Sequence, residues 1–136
     1  MPITAVMHDR MVNDVTLAAM LAMYDGAPAV FTTDPAPGDA NLPYIVSAGE
    51  VVATPFDTKT SRGRQLWRDV RCYSHASGSA VAIEAMAERV RALFHRQALV
   101  VPGFTWIWAE CTGPIAADEQ DAYGRIVTVK LTIEEV

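Results

Sequence analysis

From Arg125 onward the chain alternates almost without fault: Val127, Val129, Leu131 and Ile133 are apolar, while Thr128, Lys130, Thr132 and Glu134 between them are polar. Successive strand side chains point to opposite faces, so this run predicts a strand with one dry and one wet face. The dry face needs a cover, and residues 80–97 supply one. Ile83, Ala87, Val90 and Phe94 recur at spacings of three and four, with Met86 and Leu93 beside them and Glu84, Glu88, Arg91 and His95 opposite. That is the stripe of a helix lying on a sheet. A one-sided strand and a one-sided helix in one chain predict an α+β fold, with a mainly antiparallel sheet and two main helices packed on one face.

The second main helix is expected over 15–24. Asn13 or Asp14 is its N-cap, and Asp25-Gly26 with Pro28 is its stop. Residues 1–12 read as a flexible or helical arm. Short strands are expected over 29–32 and over 44–53, the latter bent at Gly49. Residues 34–39, rich in Asp, Pro and Gly, make a turn. Residues 54–65 form a long polar loop, and loops of that length in a small domain are usually functional. The strand over 66–74 turns Val70 and Cys72 inward, and 105–111 adds another. Residues 114–123 form an acidic loop.

A length of 136 residues fits a single domain spanning 1–136. It is long enough to bury about two-thirds of its unfolded surface without staples. Met1-Pro2-Ile3-Thr4, soon interrupted by Asp9, Arg10, Asn13 and Asp14, does not read as a secretory signal, so folding in the cytoplasm is expected. No apolar run reaches the roughly 20 residues of a membrane span. Cys72 and Cys111 read as buried free thiols. The net charge of −5 argues against general nucleic-acid binding.

Catalytic patterns are missing. His8, His75 and His95 lack helical metal-pair spacing, and no cofactor or metal site is expected. Ser77-Gly78-Ser79 opens a helix, which a capping turn explains. What remains are surfaces. Lys59, Arg62, Arg64 and Arg68 concentrate four of the chain's eleven basic side chains in ten residues. They form either a solvated loop or a contact with an acidic partner or with phosphates. Asp118, Glu119 and Asp121 form an acidic loop. Strict alternation places Trp106 and Trp108 on one face, either outward as an interface or inward under the helices.

The order of pieces resembles the tail-completion proteins of long-tailed phages and gene transfer agents, which include tail terminators and head–tail joining proteins. The resemblance rests on an N-terminal helix before a short strand, Leu42-Pro43-Tyr44-Ile45-Val46, Gly49, Asp57-Thr58-Lys59-Thr60 with Gly63, and a strand into a Ser-Gly turn. It continues through the helix over 80–95, Ala98-Leu99, Gly103, and a last strand after Gly124-Arg125. It covers the chain from about residue 14 onward.

The resemblance implies a structural virion protein and no enzyme. It implies a homo-oligomeric ring, a hexamer, at the head-proximal end of the tail, which ends tail-tube polymerisation. Its partners are then copies of itself, the tail-tube protein, a head-side connector protein, and DNA passing through the lumen, with no membrane. Closed rings need heterologous contacts, in which one patch meets a different patch on the neighbour. Lys59, Arg62, Arg64 and Arg68 against Asp118, Glu119 and Asp121 would be one such pairing. The competing class is a small dimeric α+β ligand-binding or regulatory domain with a pocket between helix and sheet.

Overall fold

The computed structural model describes residues 2–118 and 122–136. Two helices come first, α1 (Pro2–Val12) and α2 (Val15–Ala18), then three short strands, β1 (Met23–Tyr24), β2 (Ala27–Pro28) and β3 (Val30–Phe31). Next come β4 (Tyr44–Val46), β5 (Glu50–Pro55) and the long β6 (Gly63–His75). The helix α3 (Val81–Phe94) separates these from β7 (Phe104–Ala116) and β8 (Ala122–Glu135). The main sheet runs β3-β4-β6-β8-β7, with β5 also on β6. All its pairings are antiparallel except β3 with β4. The expected α+β architecture is borne out, and its long central pair is β6 with β8, in register from Gly63↔Glu134 to His75↔Ala122.

The alternation in β8 does what its chemistry requires. Val127, Val129, Leu131 and Ile133 are buried, as are Leu66, Val70 and Cys72 from β6 and Ala109 from β7. α3 covers them with Ile83, Met86, Ala87, Val90 and Phe94, none more than 1% exposed. The helix–sheet seam is thus filled by side chains.

The long strands run further than the sequence reading gave them, so the loop read over 54–65 shortens to 56–62 and strand takes 114–116 and 122–123 from the loop read over 114–123. Three elements differ in kind. The second main helix is α1, the segment read as an arm. Ile3, Met7 and Met11, four residues apart, are fully buried in the same core as α3. Arg10 ties α1 down by donating to the carbonyls of Leu93 (3.1 Å) and Ala98 (2.7 Å), at the C-terminal end of α3, where a cation meets free helix carbonyls.

The helix expected over 15–24 stops at Ala18. Asp25 and Gly26, both at positive φ (51° and 81°), instead close the β1–β2 hairpin. Two left-handed residues in a two-residue loop are what a tight hairpin turn requires. The third difference is the strand expected over 44–53, which is two strands. β4 pairs with β6 near Tyr73, and after the break at 47–49 β5 pairs with β6 near Leu66.

Asp14 caps α2, accepting from Leu17 N at 2.9 Å, and takes two bonds from Arg89 of α3 at 2.8 and 2.6 Å. The Arg89 bonds hold its carboxyl below the usual carboxylate range, helped by the Leu17 amide and opposed by burial. A depressed folded-state pKa contributes stability above the unfolded value, lost as pH falls through the folded one. Asp14→Ala is therefore expected to be less stable than wild type at pH 7, with the cap alone contributing about 1 kcal/mol. The gap should narrow below about pH 4; denaturant titrations at pH 7 and pH 3 check both points.

At the far end of the sheet, Tyr24, Phe31, Tyr44 and Tyr73 form a chain of ring contacts at 5.1, 5.7 and 5.5 Å. Tyr44 and Val46, from the Leu42–Val46 motif, join Tyr73 and Ala122 in a second, smaller apolar cluster. No helix among the described residues is long and apolar enough to cross a membrane.

Candidate interaction surfaces

The face of the sheet away from the helices is open, and cross-strand register orders it in rows. One row is Thr54–Gln65–Thr132–Trp108, the next Val52–Trp67–Lys130–Glu110, the next Asp69–Thr128–Thr112. Lys130 lies 5.3 Å over the Trp67 ring and 3.9 Å from Glu110, and Thr128 donates to Asp69 at 2.7 Å. The wet face is thus a mosaic of both signs of charge and hydroxyls.

The four basic candidates divide. Lys59 and Arg62 are exposed on loop 56–62, between β5 and β6. Arg64, at the start of β6, pairs with Glu135 at 3.4 Å and lies 5.7 Å over the Phe104 ring. Arg68 is not a surface charge, because it is fully buried on the helix side of the sheet. Its Nη1 faces Glu50 at 3.4 Å and its Nη2 donates to Thr4 Oγ1 at 2.9 Å. Its Nε has no hydrogen-bond partner among the described residues. Burial lowers its pKa and Glu50 opposes that. The period-two pattern is the cause: Leu66, Arg68, Val70 and Cys72 share one face.

The loop carrying Lys59 and Arg62 is built. Thr58 N donates to Ser61 O at 2.9 Å, Ser61 N to Thr58 Oγ1 at 3.1 Å, and Gly63 N to Asp57 Oδ1 at 3.2 Å. Glu135 N donates to Arg62 O at 2.7 Å and fixes the loop to the end of β8. Gly63 permits this closure, since a Cβ there would lie 2.6 Å from Phe56 O and 2.8 Å from Ile133 O. This accounts for the Asp57-Thr58-Lys59-Thr60…Gly63 motif.

On the acidic side, Asp118 Oδ1 accepts from Gly124 N (3.1 Å) and Arg125 Nη1 (2.9 Å). Glu119 and Asp121 lie outside the described residues. The basic loop and Asp118 sit at opposite ends of the β6–β8 pair, about 40 Å apart at 3.3 Å per residue. The structure does not bring them together within one subunit.

The two tryptophans do not share a face. A bulge falls between them: Trp106 pairs with Ile133 and Trp108 with Thr132, leaving Ile107 as the extra residue. Trp106 therefore packs on the core, and Trp108 is 40% exposed on the open face, with Arg96 5.6 Å over its ring. A two-against-one bulge reverses alternation locally, which strict period-two reasoning could not supply.

One further feature was not read from the sequence. The outer edge of β7 is closed at its middle, where Arg96 N donates to Ala109 O at 2.8 Å and Cys111 N donates to His95 Nδ1 at 3.0 Å. Closing an edge in this way blocks unwanted strand addition. Both thiols are free and buried. Burial pushes Cys72 up to about 12 and Cys111 to about 11, which makes them poor nucleophiles. Among the described residues no group of three or more His, Cys, Asp or Glu is placed to hold a metal ion.

No curated protein matches this sequence. The fold is similar to that of a chain in a solved structure titled "Virion of native gene transfer agent (GTA) particle", with a TM-score of 0.77 and 18% sequence identity. The match covers 98% of this chain and 95% of that one. The model of the family "Tail completion protein gp17" matches residues 5–134, nearly the whole chain, and the protein belongs to that family of phage tail structural proteins.

Proposed function

We propose that the protein forms a closed homo-oligomeric ring, a hexamer, at the head-proximal end of a phage-type tail. The ring ends tail-tube polymerisation and presents a surface to a head-side connector protein. The observation that carries this reading is the family match over residues 5–134. DNA passes through the lumen of such a ring, and the virion is the protein's destination after assembly in the host cytoplasm.

The loop that carries Lys59 and Arg62 lies at the opposite end of the β6–β8 pair from Asp118, so the two ends of the subunit can face different neighbours. Arg62→Glu is expected to leave the thermal midpoint close to wild type, because the side chain is exposed and makes no ion pair among the described residues. The same variant should lose ring assembly, and with it binding to tail tubes. Native mass over a concentration series, with negative-stain images with and without purified tubes, tests both statements. Wild-type rings of about six-fold symmetry support the reading, and a tight dimer at every concentration overturns it.

A further inference from the structure

At the end of the sheet nearest Gly63, four strands lie side by side in the order β5-β6-β8-β7, so β5 and β7 are its two flanks. Each flank has one point at which strand addition is blocked. The middle of β7 is closed by His95 and Arg96. β5 ends in Pro55, which has no N–H to give. Beyond these two points, the flanks also offer their side chains for contact.

Those side chains are apolar and exposed on both flanks. β5 shows Val51 (59% exposed) and Val52 (49%), followed by Phe56 (42%); β7 shows Ile107 (37%) and Trp108 (40%). The row Thr54–Gln65–Thr132–Trp108 sets the two patches at one height on opposite sides of the sheet. A rotation about an axis parallel to the strands brings the β5 flank of one copy to the Trp108 flank of the next with no axial step. A heterologous contact with no axial step does not spiral, and closes into a ring when its rotation divides a full turn.

Charge agrees with the same placement. The row Gly63–Glu134–Thr105 puts Glu134 one strand in from the β7 flank, at the height where the 56–62 loop begins. Lys59, Arg62 and Glu134 line one open pocket at this end of the sheet and make no ion pair among the described residues, which leaves the loop cations available to Glu134 of a neighbouring copy.

We infer that a second copy of this chain occupies each flank, with Val52 and Phe56 of one subunit seated on Ile107 and Trp108 of its neighbour. This deepens the ring reading and rests on it. The apolar contact supplies the attraction, and the loop cations against Glu134 set the register.

The test uses the full chain. Phe56→Asp and Trp108→Asp, each at an exposed position, are expected to keep a wild-type thermal midpoint and to lose rings entirely. In a second experiment Thr54→Cys and Ile107→Cys are placed in one chain and oxidised, which the buried native thiols permit. A ladder of covalent multimers up to the ring size is expected, while each single-cysteine variant stays one chain long. A covalent dimer from Thr54→Cys alone means the flanks pair two-fold and overturns the inference. Wild-type rings together with unimpaired Asp variants overturn the inference and leave the ring reading standing. Absence of wild-type rings, with or without tubes, overturns both.

Discussion

Met7→Asp is expected to leave no cooperatively folded protein at 25 °C. Met7 is the centre of the buried stripe Ile3, Met7, Met11, and all three are fully enclosed. Truncating a buried methionine destabilises by about 2–5 kcal/mol. A carboxylate in its place adds several kcal/mol more, because it must either stay charged in the core or bind a proton there. A domain of this size has about 5–15 kcal/mol in total. The loss spreads further, since α1 holds Arg10 on the carbonyls of Leu93 and Ala98 and Thr4 on Arg68. Far-ultraviolet circular dichroism with a thermal melt reads the result. A cooperative transition within a few degrees of wild type would show that α1 is an accessory and not a wall of the core.

The second large effect is expected at Arg68, as a contrast between two substitutions. Arg68→Ala should lower stability by about 2–4 kcal/mol, by leaving a void under α1 and removing the bonds to Glu50 and Thr4. At about 3–4 °C of midpoint per kcal/mol for a chain of this length, that is a drop of about 10 °C. Arg68→Met keeps most of the stem volume and removes a desolvated charge whose Nε has no partner among the described residues. Glu50 remains 23% exposed and can rehydrate, so Arg68→Met should lie within about 1 kcal/mol of wild type, as apolar replacement of buried ion pairs often does. Urea titrations of both variants decide the matter. Equal losses would mean that the guanidinium itself, and not the volume it fills, holds β5 against α1.

The contrast between Arg68 and the neighbouring charges shows where the sequence was legible. The alternation that sends Val70 and Cys72 inward sends Arg68 inward too, and grouping it with Lys59, Arg62 and Arg64 by charge type overrode the stronger geometric signal. α3 and β8 were plain because one period persists through each. α1 was not, because its stripe is only three residues long and Ala5, Val6 and Val12 spread further apolar surface around the helix. Asp25-Gly26 serves equally as a helix stop or a hairpin turn, and only the pairing of Met23 with Pro28 decides. The split of Trp106 from Trp108 depends on how β7 registers against β8, a non-local fact that no window of sequence contains. The family resemblance was carried by motifs the structure explains, the loop closed by Gly63 above all. The residues that would join one copy to the next were partly hidden, because exposure of Val52 and Phe56 follows from β5 being a flank.

The pairing of β6 with β8 also sets an order of events during synthesis. β6 is the middle of the sheet, yet it ends at His75 and its full-length partner does not begin until Ala122. When β6 is made, only the short β4 and β5 are available to it, and its other side carries a row of open backbone groups flanked by Leu66, Val70 and Cys72. The helix that would shield those side chains comes next, but its far support, β7, reaches the sheet only through β8. The nascent chain must therefore hold one side of its central strand open until residues 122–135 have emerged. Substitutions that weaken β8 should act first on the yield of soluble protein, before any effect on the finished subunit is seen.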